Sequence, residues 1–168
     1  MLWWIHALSP EVAWLCGEGG SVVRLERTAV GGARLVPVPT NTTATLYGIV
    51  ALSDQDVWAV GGDEGSPGVV LHGDQTGLRT VPGLPTTGVL YKLYASDPAH
   101  LHAVGEGGLT LTRSDGVWTL TPSPTRDRLL TVHGSGPGRI WAVGGLSQAR
   151  VLRLQSDGIT EEAGSAAD

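Results

Sequence analysis

One short phrase is written four times along this chain. Trp14-Leu15-Cys16-Gly17-Glu18-Gly19-Gly20 returns as Trp58-Ala59-Val60-Gly61-Gly62-Asp63-Glu64 and as His102-Ala103-Val104-Gly105-Glu106-Gly107-Gly108. A fourth copy reads Trp141-Ala142-Val143-Gly144-Gly145. The leading residues of the copies lie 44, 44 and 39 residues apart. Such a repeat constrains the fold more than any local propensity. Each copy is a unit that cannot bury its faces alone and must stack on its neighbours.

The residues around each copy repeat as well. A β-branched or aromatic run precedes it, such as Gly48-Ile49-Val50-Ala51-Leu52-Ser53. A second run follows, such as Val22-Val23-Arg24-Leu25 or Val69-Val70-Leu71-His72. A polar turn and a last short run close the unit, as in Ser114-Asp115-Gly116 before Val117-Trp118-Thr119-Leu120. Runs of this length bounded by Gly, Pro, Asp and Ser are strands, and no window carries a capped helical stripe. About four strands in a 40–45-residue period is the pattern of β-propeller blades. The sequence therefore predicts an all-β chain of about four blades, each of four antiparallel strands. The predicted domain covers 1–160, with blades at 1–45, 46–88, 89–127 and 128–160, and a polar tail at 161–168. Trp14, Trp58 and Trp141 are the large flat residues suited to lie between neighbouring blades, and His102 takes that place in the third unit.

Composition removes several other classes. With 41% hydrophobic residues and a net charge of −5, the chain is not of the disordered type. One cysteine allows no internal disulfide, and Cys16 reads as a small buried hydrophobe. No apolar run approaches the roughly 18 residues of a membrane span. A single lysine in an acidic chain argues against a nucleic-acid partner. The first residues, Met1-Leu2-Trp3-Trp4-Ile5-His6, do not form a signal peptide. They begin inside the innermost strand of the first unit. Three arrangements fit: a closed four-blade ring, a half-propeller whose homodimer closes eight blades, and a piece of a larger propeller.

Ser53-Asp54-Gln55-Asp56-Val57-Trp58-Ala59-Val60-Gly61-Gly62, followed by an apolar strand and an Asp-Gly turn, resembles bacterial Asp-box (BNR-like) and photosystem-assembly-factor-like propeller repeats. It is similar in particular to the tandem Asp-Val-Trp-Ala-Val-Gly repeats of large secreted or surface proteins of myxobacteria-like organisms. The resemblance covers nearly the whole chain. It implies a propeller fold and an extracytoplasmic setting, but one fold hosts many activities. The nearest approach to an Asp-box is Ser114-Asp115-Gly116-Val117-Trp118, which is shorter than the full motif and lacks counterparts in the other units. An Asp-box is in any case a turn device.

Glu18, Asp63, Glu64 and Glu106 sit in the turns after the anchors, where blades would bring them to one face. A basic partner or a hard cation would suit them, but no compact calcium loop is present and a tight solvated turn is the simpler reading. Arg24, His72, Arg113 and Arg153 recur on the strand after each anchor. Sialidases grip a carboxylate with three arginines, but no tyrosine here pairs recognisably with an acid. Arg126-Asp127-Arg128 is the charge cluster of a linker loop, and such loops are where rigid scaffolds bind partners. Nucleophile elbows and phosphate loops are absent, and the Gly-rich turns lack the lysine and helix that a phosphate site needs. Asn41-Thr42-Thr43 matches a glycosylation sequon by its letters alone.

Every repeated residue thus has a structural role, and no set of unlike residues converges as an active site does. The expectation is a non-enzymatic binding or scaffold propeller module without a cofactor, with a protein or glycan partner. The alternative is a carbohydrate-active module, a lectin or a sialidase-like glycoside hydrolase.

Overall fold

The computed structural model describes residues 1–146, 148–155 and 158–162. The Ser156-Asp157 turn and residues 163–168 of the expected tail lie outside them. The described residues form four antiparallel sheets of four strands, each a simple meander. Blade 1 comprises β1 (Leu2–Ala7), β2 (Val12–Gly17), β3 (Val22–Arg27) and β4 (Ala33–Val38). Blade 2 comprises β5 (Leu46–Ser53), β6 (Asp56–Gly61), β7 (Val69–Asp74) and β8 (Gly77–Thr80). Blade 3 holds β9 (Leu90–Asp97), β10 (His100–Gly105), β11 (Thr110–Ser114) and β12 (Val117–Leu120). Blade 4 holds β13 (Leu129–Gly134), β14 (Ile140–Gly144), β15 (Arg150–Gln155) and β16 (Gly158–Glu161). The last strand therefore runs one residue into the stretch expected to be tail. The chain divides into two compact units, Met1–Leu90 and Tyr91–Asp168.

In the first unit the core lies between blades 1 and 2. Trp14, Cys16, Val22 and Val38 of blade 1 meet Ile49, Ala51, Val57, Ala59, Leu71 and Leu78 of blade 2. These are alternate residues along their strands, so one face of each pleated sheet is removed from water. In the second unit Val132, Ile140, Ala142, Leu152 and Leu154 of blade 4 form the core with Val104, and Tyr94 packs against it.

The repeated glycine after three of the anchors has one cause. A methyl group on Gly17, Gly61 or Gly144 would collide with the carbonyl oxygen of Met1, Thr45 or Arg128 respectively. In each case that carbonyl belongs to the residue just before the innermost strand. The following N–H then binds the same oxygen: Glu18, Gly62 and Gly145 donate to Met1, Thr45 and Arg128, each at 2.9 Å. Only a residue without Cβ permits this approach. The Gly-Glu-Gly-Gly turns are short 3-10 turns at Glu18–Gly20 and Glu106–Gly108, with Gly19 and Gly107 in the left-handed region. The Asp115-Gly116 turn has φ of +49° and +87° at its two central residues, joining paired Ser114 and Val117. Positive φ at both places matches the twist of a two-residue hairpin.

The linker from blade 1 to blade 2 is held along the outermost strand of blade 2. Leu78 N donates to Pro39 O at 2.9 Å. The Asn41 side chain donates to Thr80 Oγ1 at 3.2 Å and accepts from Thr80 N at 2.8 Å. The sequon asparagine is thus engaged by the fold.

Candidate functional site

The site emerges from comparing the same slot in two blade pairs. In blade 1 the cross-strand row is Trp14 on β2, Arg24 on β3 and Val36 on β4. This row faces blade 2. Trp14 is 0% exposed. Arg24 reaches the β5–β6 turn and binds Asp54 through both Nε (2.9 Å) and Nη2 (2.7 Å). It also contacts Glu26. The Arg24 hydrogen bonds hold the Asp54 carboxyl below its usual value, and Asp54 in turn raises the Arg24 guanidinium. The Trp14 indole nitrogen makes no hydrogen bond of good geometry among the described residues, but it lies near enough to Asp54 to favour the carboxylate.

In blade 3 the corresponding row is His102 on β10, Thr112 on β11 and Thr119 on β12. All three side chains are smaller than or more polar than their counterparts. The turn that carries Asp54 in blade 2 is Gly136-Pro137-Gly138 in blade 4. The slot is consequently hollow. A cavity of about 500 Å³ opens there, lined by His102, Thr112, Thr119 and Thr121 on one side and Ile140 and Leu154 on the other. Its size lies in the ordinary range of ligand sites.

A short hydroxyl chain orders the blade 3 wall. Thr121 donates to the Thr112 hydroxyl at 3.2 Å, and Thr112 Oγ1 stands 3.5 Å from His102 Nδ1. Burial pushes His102 down to about 4, with nearby His100 adding to the shift and Asp97 opposing it. The imidazole is therefore neutral at physiological pH, and the Thr112 hydroxyl favours a proton on Nε2. At the rim, His100 Nδ1 binds Asp97 at 2.8 Å, which lowers the Asp97 carboxyl.

This shift has a measurable consequence. The folded His102 is harder to protonate than an unfolded one near 6.5, so its contribution is fully present above that pH. Stability falls as the pH drops from about 6.5 towards about 4, by on the order of 2 kcal/mol. Urea midpoints at pH 7.5 and 4.5 are expected to differ less in His102→Gln than in the wild-type chain. An equal pH loss in both would show that His102 does not carry it.

The basic slot expected from the sequence is corrected in blade 3. Arg24, His72 and Arg153 do lie opposite their anchors Trp14, Trp58 and Trp141. Arg113 does not; it pairs with Leu101, and Thr112 stands opposite His102. Blades 1 and 3 return through the same Glu-Gly-Gly turn, so the tenth residue after each anchor stands opposite it; Arg24 is that residue, whereas Arg113 is the eleventh and lies on the other face of the strand. In blade 2 the anchor and its partner make a flat stack, with Trp58 and His72 centroids 3.8 Å apart at 16°. Asp56 holds both, accepting from Trp58 Nε1 at 2.7 Å and lying 3.0 Å from His72 Nε2. Trp141 carries Arg153 over its ring at 5.9 Å and remains 38% exposed.

Each acidic turn residue lies on the turn after its own anchor. Glu18 binds the Met1 amine at 2.9 Å, and Asp63 accepts from Thr45 N at 3.1 Å. Glu64 and Glu106 are exposed on their own turns. Among the described residues no group of three His, Cys, Asp or Glu side chains is placed to hold a metal ion. Of the linker cluster, Asp127 is bound by Arg150 at 2.7 Å, whereas Arg126 and Arg128 are exposed. The sequence marks His102 only as a structural anchor, and the signal of Thr112, Thr119 and Thr121 is that the third unit is small and hydroxylated where the first is large.

No protein-family model matches the sequence, and neither does any curated protein. Among solved structures the chain is similar to one titled YCF48 bound to D1 peptide, with a TM-score of 0.68 at 13% identity. The likeness covers 96% of this chain and 52% of that one, so the chain spans about half the length of its structural neighbour. At this identity the likeness bears on architecture, and the four meander sheets are of the β-propeller type.

Proposed function

We propose that this chain is a non-enzymatic, protein-binding β-propeller module, and that the cleft between blades 3 and 4 receives part of its partner. The observation that carries this reading is the hollow slot at His102. A cavity walled by hydroxyls and a neutral imidazole, with an apolar opposite side, offers both hydrogen bonds and contact area to a polypeptide segment. The structural neighbour's peptide complex is consistent with such a use of the fold.

Selection of displayed peptides tests the reading. The wild-type chain is expected to enrich a family of sequences, and His102→Trp, which fills the slot as Trp14 fills the first, is expected to lose them. Peptides retained equally by both would remove the cleft from the reading. A glycan array that lights up where no peptide is enriched, or release of fluorophore from a sialoside, would replace it with the carbohydrate-active alternative.

A further inference from the structure

We infer that the cleft between blades 3 and 4 is a receptor for an aromatic side chain of the partner, an indole above all; this rests on the reading of the chain as a protein-binding module. The chain itself supplies the pattern. Where blade 1 meets blade 2, the slot is occupied by Trp14, with Arg24 and Asp54 closing its edge. Where blade 3 meets blade 4, the indole, the guanidinium and the carboxylate are all missing, and a cavity takes their place. Beneath both slots the next blade presents the same kind of floor, Val57 and Ala59 in blade 2 and Ile140 and Ala142 in blade 4. The cleft is thus a slot from which the chain's own anchor has been left out.

The lining suits an indole better than its competitors. Ile140 and Leu154 provide an apolar surface for one face of a flat ring. His102 provides an uncharged ring for stacking, and blade 2 shows that this chain already stacks imidazole on indole, as Trp58 and His72 do. The Thr112, Thr119 and Thr121 hydroxyls can accept from a ring N–H, which an indole needs when it is buried. A guanidinium would find no carboxylate in the lining among the described residues, since the Asp54 position has become Gly-Pro-Gly and Asp97 at the rim is already bound by His100. An aliphatic side chain would leave the hydroxyl wall without a new partner. Aromatic side chains are also the common anchors of protein interfaces, because they fill a preformed pocket at low entropic cost.

The test uses the isotope-labelled wild-type chain and three probes: N-acetyl-tryptophanamide, N-acetyl-leucinamide and N-acetyl-argininamide. The tryptophan probe is expected to give saturable NMR shifts centred on His102, Thr112 and Thr121, and to bind at least about tenfold more tightly than the other two. His102→Trp is expected to weaken it at least about tenfold. Thr112→Leu, which fills the slot from the neighbouring strand, gives the same readout should His102→Trp fail to fold. Equal binding of all three probes, no binding, or tryptophan shifts that map elsewhere would overturn the inference. Selected peptides that occupy the cleft without any aromatic residue would also overturn it, while leaving the protein-binding reading in place. Failure to select any peptide would remove both.

Discussion

Gly61→Ala is expected to destabilise the Met1–Leu90 unit by about 3 kcal/mol. The added methyl would run into the Thr45 carbonyl oxygen and come 2.8 Å from Leu46 Cα. Both are backbone atoms of the segment that enters β5, so neither can move away as a side-chain tip can. Relief would require β5 to separate from β6, which also breaks the bond from Gly62 N to Thr45 O. The natural control is Gly65→Ala. Gly65 has φ of +76° with nothing near its missing Cβ, so alanine there meets only left-handed strain of about 1 kcal/mol. Urea unfolding of both variants, read from the midpoint at constant slope, separates the two costs. Equal losses would mean that the close approach is not what the repeated glycine provides.

Trp14→Ala is expected to cost about 3–5 kcal/mol, and Trp141→Ala less than about 1 kcal/mol. The two residues hold the same place in their repeats. Trp14 is wholly enclosed between two sheets, and its removal leaves a cavity beside the Arg24–Asp54 pair. Trp141 has Val143 and His133 beside it on an open surface, and its removal deletes contacts on one side only. Thermal unfolding of the two variants side by side tests the contrast. Similar shifts would show that the indole acts within its own sheet rather than between sheets.

Much of this was legible in the sequence because it is local. The run lengths, the turn residues and the 44-residue return of Trp-x-x-Gly dictate strands, hairpins and their order. The anchors could be named for the same reason: a large flat residue on an alternating strand must find cover. The fate of each anchor was not legible. Trp14 and Trp141 hold the same place in their repeats, yet one is enclosed and the other is not, because the sheet that covers Trp14 belongs to a different part of the chain. Arg113 is a different case: it stands eleven residues after its anchor where Arg24 stands ten, and the pleat of the strand turns it to the other face.

The strands, their turns and the blade pattern follow from the local sequence, since these depend on residues within one hairpin. Tertiary structure alone decided the cleft. His102, Thr112 and Thr119 lie on three strands, Ile140 and Leu154 on two more, and Gly136-Pro137-Gly138 on a turn. Each is unremarked where it stands in the chain. A void forms only when the sheets pack, because packing sums the volumes of side chains that the sequence keeps apart.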